Sequence, residues 1–329
     1  MEVKYIERIK SPNFLGDKKL DWKLRPDVNV LSGENGSGKS TILRAVYELL
    51  TTNELGGNLH ERVGDVEIQY DNKKETRFKR HDLVGTKEYF EKEATTNELY
   101  KDALNKLKDH EHYDKVAGFF VTYKQSLWTK DFSSDILKNE VNVEYVNILE
   151  QTIIESGANK AEDLNRSVLN IKIEALQFGY LDFQLDVLKQ IRSNGKKNKS
   201  RTLAESYDLF VEKINAAFGE TGKSIDKDEN SLSFIKDRNI KISTSDLSGG
   251  EKQLLICYLT VLFQRDKQSI LLLDEPETSL HFHWQKNLIT DLRELNPNLQ
   301  LIIATHSPGI IINGYADAVS TMDELLGKS

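Results

Sequence analysis

The chain has 329 residues, of which 38% are apolar and 29% charged, and its formal net charge is -7. That suits one large domain or two coupled lobes and excludes an overall basic pull toward nucleic acid, although net charge does not say where charges sit. The single cysteine, Cys257, excludes an internal disulfide and fits a reducing compartment. The N-terminal MEVKYIERIK lacks an apolar signal core, and the longest apolar run, Leu254–Phe263, is far short of the ~20 residues that span a bilayer. A soluble, cytoplasmic protein without a membrane segment is expected.

In chain order, a short apolar strand ends at Val28, Val30 and Leu31, and the loop Gly33–Lys39 follows. Residues 41–50 read as a helix with Ile42, Leu43, Val46, Leu49 and Leu50 on one face. VEIQY (66–70) and TRFKR (76–80) alternate and flank a polar turn, which predicts a hairpin. From Gly85 to Lys115 the chain is charged and helix-permissive, and Lys115–Tyr123 reads as a buried strand. Helical stretches follow over 133–218, one with Tyr207, Val211, Ile214 and Phe218 at helical spacing. The polar, basic loop 192–201 interrupts them. No internal repeat is read, and no heptad run long enough for a coiled coil.

From Ser231 the character changes. SLSFI and IKIS read as short strands, and Ser248-Gly249-Gly250 opens a long helix. Ile270–Leu273 is a purely apolar strand. After a helix through Leu295, LIIATH (301–306) is another. Apolar strands that do not alternate, each followed by a helix, predict an α/β fold with a parallel sheet covered on both faces.

Gly33-Glu34-Asn35-Gly36-Ser37-Gly38-Lys39-Ser40 matches the P-loop pattern, after a strand and opening a helix. Its glycines let backbone N–H groups approach phosphate oxygens, and the helix adds its positive end. Gly33, Asn35, Gly36, Ser37, Gly38, Lys39, Ser40 and Thr41 are therefore candidate ATP-binding residues. Lys39 would bridge the β- and γ-phosphates and Ser40 would ligate Mg²⁺. Asp274-Glu275 ends the apolar strand, where α/β sheets place ligands. Asp274 would hold the metal and Glu275 would polarise the attacking water. Alone, such a pair also marks an ordinary helix start that favours acid. Ser248, Gly249 and Gly250 form a second bare, capped helix start, suited to another anion.

Taken together, these motifs resemble the ABC ATPase superfamily. GENGSGKS resembles its Walker A, LSGGEKQ (247–253) its signature, and LLLDEPE its Walker B with the catalytic glutamate. His306 resembles the switch histidine, and Thr278–His281 falls where the D-loop lies. The resemblance implies an ABC-type P-loop ATPase head with a mixed sheet core. It also implies two ATPs sandwiched in a head-to-tail homodimer, the signature of one subunit closing on the P-loop of the other. Gln125 is the candidate Q-loop glutamine and metal contact. Tyr5 and Phe14 are candidates for the adenine-stacking aromatic, and Asn13-Phe14 resembles a pair found near the start of RecF-like ATPases.

EPETSLH and ATHSP look like the stand-alone bacterial OLD/RecF-like group, some members of which serve anti-phage defence beside a nuclease or toxin. Only Ser307–Ser329 follow His306, too short for the nuclease domain of OLD proteins, so a separate effector is expected. Residues 1–125 and 231–329 are assigned to the ATPase core and 126–230 to an inserted, mainly helical lobe. Arg192, Lys196, Lys197, Lys199 and Arg201 are candidates for DNA contact, or form a solvated loop. His110 and His112 read as a solvated helix surface, and His281 and His283 as packing or dimer contacts. The alternatives are a RecF/SMC-like DNA clamp, a transporter ATPase subunit and a P-loop kinase.

Overall fold

The apolar, non-alternating strands form the centre of the molecule. The structure is a computed structural model and describes residues 3–52, 55, 59–86, 93, 95–98, 101, 122–131, 141–147, 168–192, 202–229, 231–237 and 240–327. In its first third are β1 (Ile6–Phe14), β2 (Lys18–Lys23), β3 (Val28–Ser32), α1 (Lys39–Thr51), the short α2 (Leu59–Arg62), β4 (Val66–Tyr70) and β5 (Glu75–Thr86). Then come β6 (Thr122–Asp131), β7 (Asn142–Asn147), α3 (Val168–Arg192), α4 (Leu203–Phe218), β8 (Lys223–Ile225), β9 (Ser233–Lys236) and β10 (Ile240–Ser243). The last part holds α5 (Gly249–Leu262), β11 (Ser269–Asp274), α6 (Phe282–Leu295), β12 (Leu299–Ala304), α7 (Pro308–Ile311), β13 (Val319–Thr321) and α8 (Met322–Leu325).

The parallel sheet has the order β13-β3-β12-β11-β7. An antiparallel sheet, β2-β1-β4-β5-β6, lies beside it, and β10-β9-β8 forms a small third sheet. The predicted hairpin is β4–β5, with Val66 opposite Phe78 and Ile68 opposite Thr76.

The central strands β11 and β12 are buried at every residue because each of their faces meets a different core. Ile270 and Leu272 of β11, with Ile302 and Ala304 of β12, meet α1 and the antiparallel sheet. Leu271, Leu273, Leu301 and Ile303 point the other way, into α3, α4, α5 and α6. Each such buried Leu or Ile contributes about 1.5–3 kcal/mol. Helix α5 is buried from Gly250 to Leu262, so it is apolar on nearly every side. Gln300 ties the two layers together: its amide donates to the Ile6 and Arg25 carbonyls and its carbonyl accepts from the Ile6 amide.

Two expectations change. The boundary at 125/126 falls inside β6, and β7, from the expected insert, pairs with β11 throughout its length. The parallel sheet needs a strand on that flank of β11, and residues 142–147 supply it. Gln125 does not end a core strand. It lies within β6, opposite Leu83, in the antiparallel sheet. The expected strand at 115–123 falls outside the described residues except for Thr122 and Tyr123, which open β6. His110, His112, Lys196, Lys197, Lys199 and Arg201 also fall outside them, while Arg192 closes α3.

Candidate functional site

Strand β3 delivers the chain to the P-loop, which turns through Gly36 at φ 79 and Gly38 at φ 106. Both angles are left-handed and favour glycine. A Cβ on Gly38 would also sit 2.9 Å from the Phe14 ring. Phe14 is thus the buried floor of the loop and is not exposed for stacking on a base. Tyr5 is half-buried. At the tip Asn35 is exposed, whereas Thr41 in the first helical turn is buried. Ser37 Oγ is sealed from water and has no hydrogen-bond partner among the described residues. A phosphate oxygen would satisfy it.

Lys39 is buried, and its Nζ donates to the carbonyls of Gly33 (3.0 Å) and Glu34 (3.1 Å). It lies 2.5 Å from His306 Nε2. Burial pushes the Lys39 ammonium below its ordinary pKa, against the opposing pull of Glu275, Asp274 and Glu277. Those carbonyl bonds are what the ammonium would exchange for phosphate oxygens.

Strand β11 carries Asp274 to the same place. The Ser40 hydroxyl donates to Asp274 Oδ1 at 2.9 Å. Asp274 Oδ2 accepts from the Tyr145 hydroxyl (3.0 Å) and the Asn147 amide (2.9 Å). Tyr145 stacks on Tyr47 of α1, with ring centroids 5.4 Å apart. Tyr145 and Asn147 escaped the sequence reading because nothing local marks residues 145–147. Only the pairing of β7 with β11 brings them to the carboxylate.

Glu275 follows at φ 47, its amide donating to the Ala304 carbonyl at 2.9 Å. A non-glycine residue in this region is strained and is held there by its surroundings. Its Oε1 lies 3.6 Å from His306 Nε2. Glu277 anchors the histidine from behind. One carboxylate oxygen accepts from the Thr305 hydroxyl (2.7 Å), the His306 amide (2.7 Å) and the Ser307 amide (3.2 Å). Its signal in the sequence was the second acid of EPETSLH, read there only for family likeness.

Ser248 caps α5 in a reciprocal box with Glu251. Glu251 is almost fully buried and binds Lys223 at 2.7 Å and Thr221 at 2.7 Å. Gly249 has open space around it, but a Cβ on Gly250 would collide with the Ser279 carbonyl at 2.2 Å. The Gln253 amide donates to the Pro276 carbonyl. The glycine-bearing helix start is therefore packed on the segment that follows Glu275. His281 packs edge-on against Trp284, and His283 lies 3.8 Å from Glu220.

The polar atoms fit Mg²⁺ and a triphosphate. Among the described residues no group of three or more His, Cys, Asp and Glu side chains could hold a metal. A hydroxyl–carboxylate pair such as Ser40–Asp274 suits Mg²⁺, which retains several waters and takes few protein ligands.

This arrangement is that of a P-loop nucleotide-binding head of the ABC type. Residues 28–313 match the family described as "AAA domain, putative AbiEii toxin, Type IV TA system", and the chain belongs to that family. Its fold is that of SMC heads. It is similar to the SmcHead bound to the C-winged helix domain of ScpA (TM-score 0.51, 14% identity, 94% of this chain and 91% of the other). It is likewise similar to the Pyrococcus furiosus Smc head with an extended coiled coil (TM-score 0.50, 15% identity, 96% and 95%). Among curated proteins it resembles the Retron Ec83 probable ATPase of Escherichia coli, 23% identical over 88% of this chain. The Retron Vc95 probable ATPase of Vibrio cholerae is 27% identical over 39% of it. The chain spans 66% of the first relative's length and 26% of the second's. Among the described residues no helix is long and apolar enough to cross a membrane.

Proposed function

We propose that the chain hydrolyses Mg-ATP as a head-to-tail homodimer and uses the cycle to control a separate effector in anti-phage defence. The observation that carries the hydrolytic part is that Lys39 and Glu275 both meet His306, while Ser40 binds Asp274, whose charge also acts on Lys39. The P-loop amides, Ser37 Oγ and Lys39 grip the β- and γ-phosphates. Ser40 and Asp274 hold Mg²⁺, which when bound neutralises phosphate charge. Glu275 accepts a proton from the attacking water, and His306 reads the γ-phosphate. Ser248 and Gly250 close the partner's site, a reading supported by the capped, glycine-bearing start of α5. Assembly of two half-sites makes turnover slow.

The effector, a nuclease or another nucleic-acid-acting protein, is supported by the retron ATPases among the relatives and by the likeness to the OLD/RecF-like group. Action in the cytoplasm is supported by the single, buried Cys257.

Glu275→Gln tests the reading. The variant is expected to bind ATP, release no phosphate and accumulate as an ATP-dependent dimer in light scattering. If it stays monomeric in saturating ATP, and wild type never dimerises, the sandwich is wrong.

A further inference from the structure

Glu275 stands in a left-handed backbone conformation, φ 47, and the next residue is a proline, whose ring crowds the backbone before it. Ties on its own side of the sheet hold it there. The Glu275 amide donates to the Ala304 carbonyl, and the Glu275 carbonyl accepts from the Thr278 hydroxyl at 2.9 Å. A further tie comes from α5. Pro276 is buried and has no N–H, so its carbonyl is the one backbone hydrogen-bonding group it offers, and the Gln253 amide donates to it. Gly250 and Gln253 are three residues apart, on one face of α5. The bare glycine lets the helix lie against the Ser279 carbonyl, and the glutamine grips the same segment at Pro276.

Gln253 is fully buried, yet its Oε1 has no hydrogen-bond partner among the described residues. Leaving half of a buried amide unpaired costs stability. A methionine or leucine would fill the place with no polar atom of its own to strand. The bond to Pro276, and not packing, is therefore what calls for a glutamine. Gln285 holds the other flank. Its amide donates to the Leu280 carbonyl at 2.8 Å, and its Oε1 accepts from the Ser307 hydroxyl at 2.6 Å, beside His306. Residues 276–280 thus run between α5 and the loop that carries His306.

We propose that Gln253 is a positioning residue for Glu275. It fixes the peptide after Glu275 to α5, so that the helix start at Ser248 and the carboxylate move as one unit. This role presupposes those proposed above for Glu275 and Ser248. In a head-to-tail dimer the Ser248 end of one copy closes on the neighbour's triphosphate, while Glu275 serves its own. The Gln253 bond then carries the closure of one site to the carboxylate of the other.

Gln253→Met keeps the volume and removes the donor. The full chain is first followed by hydrogen exchange without nucleotide. The Thr278 and Leu280 amides, which bond within the segment, should exchange about tenfold faster, while those of α5 keep their wild-type rates. In ATP turnover kcat should fall at least about tenfold, with KM and ATP-dependent dimerisation within about twofold of wild type. Unchanged exchange in the segment overturns the tie itself. Faster exchange with a wild-type kcat overturns the positioning role and leaves the sandwich standing. A joint loss of KM, dimer and turnover makes Gln253 a structural tie only and also overturns it. If Gln253→Met does not fold, Gln285→Met, at a half-buried position, loosens the segment from its other flank and should show the same loss in kcat alone; a wild-type kcat there overturns the proposal. A Glu275→Gln variant that fails to dimerise with ATP defeats the sandwich and the relay between sites, whatever the exchange rates show.

Discussion

Glu277→Ala is expected to disable the site from behind. In the structure one carboxylate oxygen of Glu277 holds three donors around His306. They are not equal. Thr305 is fully buried, so after truncation its hydroxyl finds no water, whereas the exposed His306 amide can be hydrated. A buried donor left unmade costs about 1–3 kcal/mol, so a stability loss of about 2 kcal/mol is expected. The catalytic effect is separate. His306 Nε2 lies against Lys39 and near Glu275 only while its backbone is held. Turnover should therefore fall at least about tenfold, or 1.4 kcal/mol of barrier. ATP affinity, which the proposed function assigns to the P-loop, should change much less, giving a loss in kcat with little change in KM. Glu277→Gln keeps an acceptor oxygen and should recover most of both. Phosphate release, ATP binding and thermal unfolding of the three proteins provide the check. If Glu277→Ala melts early yet turns over ATP at the wild-type rate, the carboxylate is a structural tie and the positioning argument fails.

Tyr145→Phe removes the hydroxyl that donates to Asp274 Oδ2 but keeps the stack on Tyr47. It should raise the Mg²⁺ concentration needed for tight nucleotide binding several-fold while leaving metal-free nucleotide binding unchanged; equal effects with and without metal would contradict this. The buried pair Glu251–Lys223 predicts acid sensitivity of the start of α5. Burial works to raise the Glu251 pKa, but Lys223, the Ser248 amide and Thr221 outweigh it and hold it below the ordinary 4.5. Because the folded value is depressed, the stabilisation is present above pH 4.5 and is lost as pH falls through the lowered value. Glu251→Gln should cost about 3 kcal/mol at neutral pH by stranding Lys223, and should flatten the acid limb of the stability curve. An unchanged acid limb in urea unfolding would remove Glu251 from the explanation.

The candidate nucleotide site was legible wherever it depends on contiguous residues. A P-loop needs its glycines, lysine and serine in one short run, because a single turn of backbone must wrap the phosphates. For the same reason the apolar strand ending in Asp274-Glu275 and the capped start at Ser248 declared themselves, as did the parallel sheet, whose central strands are buried on both faces. What the sequence could not decide is which distant residues come to stand beside these. Asn147 and Tyr145 reach Asp274 only because β7 happens to flank β11, and Gln125, equally plausible on local grounds, sits instead in an antiparallel strand. Phe14 is the floor of the P-loop because the fold seats its ring beneath Gly38. Spacing along a helix reveals an apolar face, but only the packing of the rest of the chain determines which face is covered.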